Sequence, residues 1–144
     1  MEALKNKETE EKRFQTTLNE AELAYFEAII LNKKEKASEE LEYLTQTLQD
    51  IRSSDDDDAS SIDHHMSDVG SIEESLDLTN RLIERNIKFI GELDRALERI
   101  ENGTYGICRA TGEPIEKGRL EFAPHTRYSI AAKNKGLDKK VMPV

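Results

Sequence analysis

Tryptophan is absent from the 144 residues, cysteine occurs once, at Cys108, and proline three times. A single cysteine excludes an intramolecular disulfide and any metal cage built from several thiolates. Aromatic residues make up 6% of the chain and hydrophobic residues 36%. That is too little for a thick globular core, yet enough for a two-helix seam and a small satellite cluster. No run approaches the roughly 20 apolar residues of a membrane-spanning helix, and the first residues carry no apolar signal region. A cytoplasmic protein without membrane contact is expected. A nucleotide-binding glycine loop, a metalloprotease helix motif and a nucleophile elbow are all missing, so catalysis is not expected.

Acidic residues outnumber basic ones, 30 to 21, for a net charge of -9. This balance disfavours direct binding to a nucleic-acid backbone. The charge is also uneven: residues 1–103 carry a net of -13 and residues 104–144 a net of +4. Such an asymmetry can orient the molecule on a larger partner.

Two long helices are predicted. Asn19 and Glu22 have the spacing of a capping box, flanked by Leu18 and Leu23 as a hydrophobic staple. Leu23, Phe26 and Ile30 lead into Ala37, Leu41, Leu44, Leu48 and Ile51, a heptad seam that calls for a partner helix. Ser71 and Glu74 make a second capping box. Ile72, Leu76, Thr79, Ile83, Asn86, Ile90, Leu93, Leu97 and Ile100 then alternate in steps of four and three, a helix about 45 Å long. Asn102-Gly103 supplies its end. Asn86 either fixes register on the seam or sits at a partly open face. Pairing within one chain is expected, with a homodimer as the alternative. The chain thus divides into a flexible or loosely helical tail (1–17), a coiled-coil hairpin (18–102) with an acidic tip (52–70), and a small module (103–144).

The tip carries Asp55, Asp56, Asp57, Asp58, Asp63 and Asp68 against Arg52, a net of -5. The run Asp55–Asp58 reads as a solvated connector, or as a group that meets a cationic surface or a metal ion held by a partner. Asp68, close to the rigid start of the second helix, is better placed for contact. His64 and His65 lack further ligands at metal spacing, and pairing with nearby aspartates would raise their pKa.

After Gly103, Tyr105 and Ile107 alternate as a short strand, and Leu120 and Phe122 as a second. A short helix follows Pro124 and should stop near Gly136. The expected core is Tyr105, Ile107, Ile115, Leu120, Phe122, Tyr128 and Ile130. The fold class is therefore mainly α, a long antiparallel coiled-coil hairpin with a small zinc-free carboxyl-terminal α/β module.

The stretches Y-G-I-C-R-A-T-G-E-P-I (105–115), R-L-E-F-A-P (119–124) and A-A-K (131–133) resemble the DksA/TraR family of bacterial transcription regulators. The likeness covers roughly residues 20–136. It implies a zinc site of two C-x-x-C pairs, which fall here on Cys108, Thr111, Ser129 and Ala132. With one thiol among the four, zinc and other cofactors are not expected, and packing must hold the module. Cys108 is then a partly buried small hydrophobe rather than a redox sensor. The family likeness further implies that the coiled coil enters the secondary channel of RNA polymerase and modulates initiation. The family's tip motif, D-x-x-D-x-A, falls on His65, Asp68 and Gly70, with Asp63 beside it. Basic residues that serve guanosine tetraphosphate in relatives match Arg85 and Lys133, while Glu92 replaces a lysine. Arg119 joins these as a docking candidate. The alternative function is a non-catalytic structural or adaptor protein that uses the coiled coil on another partner or a second copy.

Overall fold

The structure is a computed structural model that describes residues 14–56 and 69–137, with side chains over 14–53 and 71–137. Among these residues four helices form: α1 (Glu20–Asp56), α2 (Val69–Asn102), α3 (Lys117–Phe122) and α4 (Ile130–Asn134). None is long and apolar enough to cross a membrane.

The start of α1 follows from its cap. Asn19 Oδ1 accepts the Glu22 amide at 2.8 Å, and Glu22 Oε1 accepts the Asn19 amide at 3.3 Å, which closes the box in both directions. Glu20 and Glu22 also complement the positive end of the helix dipole. The far end takes Asp55 and Asp56 into the helix although no basic residue sits in the last turn. Each added residue closes one more backbone hydrogen bond, which offsets the charge repulsion. The second helix begins at Val69, so Ser71 lies inside it and is not its cap. Its end is a Schellman turn: Thr104 N–H donates to the Arg99 carbonyl at 2.9 Å and Gly103 N–H to the Ile100 carbonyl at 3.3 Å. Gly103 reaches φ 77° there, a conformation open to glycine at little cost.

The chain divides into two compact units. The two-helix unit, Lys34–Gly91, holds the end of α1 and the start of α2. The other unit, Met1–Lys33 with Glu92–Val144, holds the start of α1, the end of α2 and the carboxyl-terminal module. Each unit thus holds a part of both long helices. In the two-helix unit the buried positions are Ala37 and Leu44 on α1 and Thr79 and Asn86 on α2. Both pairs are seven residues apart, as a heptad seam requires.

The module departs from the sequence expectation. No β-strand is present among the described residues; one isolated antiparallel bridge joins Ile107 and Pro114. It is therefore not an α/β module. After Tyr105 the chain turns at Gly106 (φ 82°), and Gly112 N–H donates to the Cys108 carbonyl at 2.8 Å, so the backbone curls before a ladder can extend. The Leu120–Phe122 stretch coils as α3. In a strand these two residues would share a face, but two steps along a helix turn them about 200° apart. Leu120 is accordingly buried, while Phe122 is 86% exposed. Ile130 is also exposed, and Tyr128 is half-buried. The core of this unit is Phe26, Ile30, Leu93, Ala96, Tyr105, Ile107, Cys108, Ile115, Leu120 and Ala132.

Candidate functional site

The module is anchored by Tyr105. Its ring lies 5.8 Å from that of Phe26 on α1, and its buried hydroxyl donates to the Pro124 carbonyl at 2.8 Å. Burial raises the phenol pKa, so this hydroxyl keeps its proton for that bond. The amino-terminal residues add to the same core: Thr16 N–H donates to the Gly103 carbonyl at 2.7 Å. A Cβ on Gly106 would stand 3.2 Å from Leu18 Cδ1 and 3.5 Å from Leu120 Cδ1, so glycine permits this close approach as well as the positive φ. Lys117 pairs with Glu22 across α3 and α1. That contact, with the Asn19 amide, holds the Glu22 carboxyl below the usual range.

Beneath these contacts lies the group expected from the zinc-site positions. Ser129 N–H donates to Cys108 Sγ at 3.4 Å, and Ser129 Oγ accepts the Ala132 amide at 3.1 Å, which caps α4. Burial pushes the Cys108 thiol up, but hydrogen bonds from Thr111 and Ser129 together outweigh it and bring the thiol to about 7. Cys108, Thr111, Ser129 and Ala132 are thus brought together. The set is one thiol, two hydroxyls and a methyl, which cannot supply the four thiolates of a tetrahedral zinc centre. Among the described residues no three His, Cys, Asp or Glu side chains converge as metal ligands. The hydrogen bonds around Cys108 and the α4 cap occupy the place where zinc would otherwise join the two segments.

A second feature is a cleft of about 310 Å³ lined by Glu92, Arg119, His125, Arg127 and Lys133 among others. His125 Nε2 lies 3.6 Å from a Glu92 carboxylate oxygen. Burial lowers the His125 pKa more than Glu92 raises it, with Lys33, Arg99 and Arg119 adding to the lowering. Arg119 is held by its own module, Nε donating to the Tyr128 carbonyl at 2.8 Å and Nη2 to Thr126 Oγ1 at 3.2 Å. Lys133 stands exposed on α4 in the same cleft. Arg85 is exposed and belongs to the two-helix unit. Asp63, His65 and Asp68 lie outside the described residues, and Gly70 is the second residue of α2. The sequence reading did not find the clamp of Arg119 on Thr126, since only the turn after Pro124 brings them together.

Residues 103–135 match the family of prokaryotic dksA/traR C4-type zinc fingers. The RNA polymerase-binding transcription factor DksA of Caulobacter vibrioides is 32% identical over 118 residues, which is 82% of this chain and 78% of that protein. The chain belongs to the DksA/TraR family. General stress protein 16O of Bacillus subtilis is 36% identical over 76 residues, 49% of this chain and 44% of that protein. The solved structure of transcription factor DksA2 from Pseudomonas aeruginosa superposes with a TM-score of 0.71 at 30% identity, covering 86% of this chain and 89% of the other. Membership makes the chain a non-catalytic regulator by descent. As a DksA/TraR protein it has a degenerate finger: the match to the C4-type pattern runs through a segment with one cysteine.

Proposed function

We propose that this protein binds RNA polymerase through its secondary channel and modulates transcription initiation. The observation that carries the reading is the 32% identity, over most of both chains, to an RNA polymerase-binding transcription factor. The likeness to the DksA2 fold supports it, because it extends over both long helices and the module. On this reading Asp63, His65, Asp68 and Gly70 form the tip that acts near the polymerase active centre. His65 adds a partial positive charge that weakens as pH rises. Arg119, Arg85 and Lys133 serve docking. A response to guanosine tetraphosphate is opposed by Glu92, whose charge repels an anion in the cleft that Arg119 and Lys133 also line. The protein works in the cytoplasm as a monomer and does not grip nucleic acid directly, consistent with its net charge of -9.

Co-purification with cognate RNA polymerase, followed by promoter-complex lifetimes with wild type and Asp68→Asn, tests the reading. Binding at physiological salt and a lifetime change that Asp68→Asn abolishes are expected. Absence of binding sinks the polymerase reading. Binding without an Asp68 effect keeps the partner and removes the tip role.

A further inference from the structure

Three arginines of the module-bearing unit gather around the guanidinium of a fourth, Arg99. Arg95 and Arg99 stand one turn apart near the end of α2. Arg109 and Arg127 are tied through their backbones, the Arg109 N–H donating to the Arg127 carbonyl at 2.8 Å. Arg99 Nη2 donates to the carbonyl of His125, two residues before Arg127, at 3.1 Å. Burial, then repulsion from Arg127 with smaller pushes from Arg95 and Arg109, lowers the Arg99 pKa to about 10, which leaves it charged at neutral pH. The nearby Tyr105 hydroxyl is neutral and gives no counter-charge. None of the four arginines forms an ion pair among the described residues. Arg95, Arg109 and Arg127 are exposed. Like charges held together without an acid are unfavourable, and an anionic partner would relieve them.

The geometry points to Arg95, Arg99, Arg109 and Arg127 as a docking face for a carboxylate-rich surface of a protein partner. Arg127 also lines the cleft with Arg119 and Lys133, so the face adjoins those two residues, and it rests on the reading that the partner is RNA polymerase. Guanidinium forks match carboxylates two bonds at a time, which favours arginine over lysine at such a face. A nucleic-acid backbone fits less well. Glu98, Glu101 and Glu113 are exposed in the same stretches of chain and break the basic set into separate points, which suits discrete carboxylates but not a continuous run of phosphates. The aromatic ring paired with this set is Tyr128, 5.8 Å from Arg127, too little for a base-stacking platform.

The test titrates the full chain against purified cognate RNA polymerase at about 50 and about 300 mM salt. It compares wild type with the double variants Arg95→Glu/Arg127→Glu and Arg95→Lys/Arg127→Lys, with Arg109→Gln as a milder single change. Thermal melts by circular dichroism check folding; if the charge reversal does not fold, Arg109→Gln decides, with about a threefold loss expected. Charge reversal should weaken binding about tenfold at low salt and flatten the salt dependence, while the lysine pair, which keeps the charge but not the fork, should keep the salt dependence with about a threefold loss of affinity. Equal affinity and equal salt dependence for wild type and the arginine variants would overturn this inference and leave the polymerase reading intact. No binding by wild type would overturn both. If a single-stranded oligonucleotide, in place of the polymerase, shows the same arginine-dependent affinity, the carboxylate assignment is wrong.

Discussion

The two units of this protein bury different things. The unit that carries the module encloses Phe26, Ile30, Leu93, Tyr105, Ile107, Cys108, Ile115 and Leu120. The two-helix unit encloses Ala37, Leu44, Thr79 and Asn86, and the Asn86 amide nitrogen has no hydrogen-bond partner among the described residues. Thr79 satisfies its hydroxyl on the Ser75 carbonyl one turn back, at 2.7 Å, rather than across the seam. Apolar burial, the main stabilising term, is therefore concentrated in one unit, while the other is joined by a thin and partly polar seam.

The largest effects should separate the units by core truncation. Leu93→Ala is expected to cost about 3–5 kcal/mol and Leu44→Ala about 2 kcal/mol, measured by urea unfolding. Equal losses would mean that the two units are packed alike. Next in size, Asn86→Leu should stabilise the protein by about 1–2 kcal/mol, because it removes a buried donor that has no acceptor and adds apolar contact. Slower amide exchange over residues 34–53 would accompany it. A loss of stability instead would show that Asn86 sets the register of the seam.

The same contrast governs how much could be read from the residues in order. Periodicity made the helices legible, since Thr79, Asn86 and Leu93 recur on one face at heptad spacing and all are buried. The Asn19–Glu22 cap was also legible, being local chemistry. The module was less so. Alternation at Leu120 and Phe122 is compatible with two periods when only three residues are seen, and helix won over strand. Nor could spacing alone reveal that Ser129 caps α4 while its amide reaches Cys108, 21 residues earlier. The positions of Cys108, Thr111, Ser129 and Ala132 were legible only through the family pattern. The arginine group around Arg99 comes from three separate stretches of chain, and no local pattern announces it.

The joint between α2 and the module offers a smaller test. Gly103→Ala should cost about 1 kcal/mol, since its φ of 77° strains any residue with a Cβ. Steric crowding is not the cause, because nothing lies within 4 Å of a Cβ placed there. Thermal unfolding of the single variant checks this, and an unchanged midpoint would mean that the Schellman turn is not under tension from the rest of the fold.

The finest distinction between the units is a pH dependence that only the module should carry. Hydrogen bonds to Cys108 bring its thiol to about 7, against an ordinary value of 9.0. Between these values the unfolded chain binds the proton and the folded chain does not, so stability rises with pH. The increment is fully present above about pH 9 and is lost as pH falls through about 7; at about pH 7.5 it amounts to roughly 1 kcal/mol or less. Cys108→Ala removes the titrating group, and urea midpoints measured from about pH 7.5 to about pH 9, above the range where the lowered His125 pKa contributes, should then lose the rise that wild type shows. If the rise persists in Cys108→Ala, another group produces it, and the bonds from Thr111 and Ser129 do not favour the thiolate. If it disappears, the remnant of the four-cysteine site has kept one property of a metal-bound cysteine, a stabilised thiolate, with hydroxyl and amide donors in place of the cation.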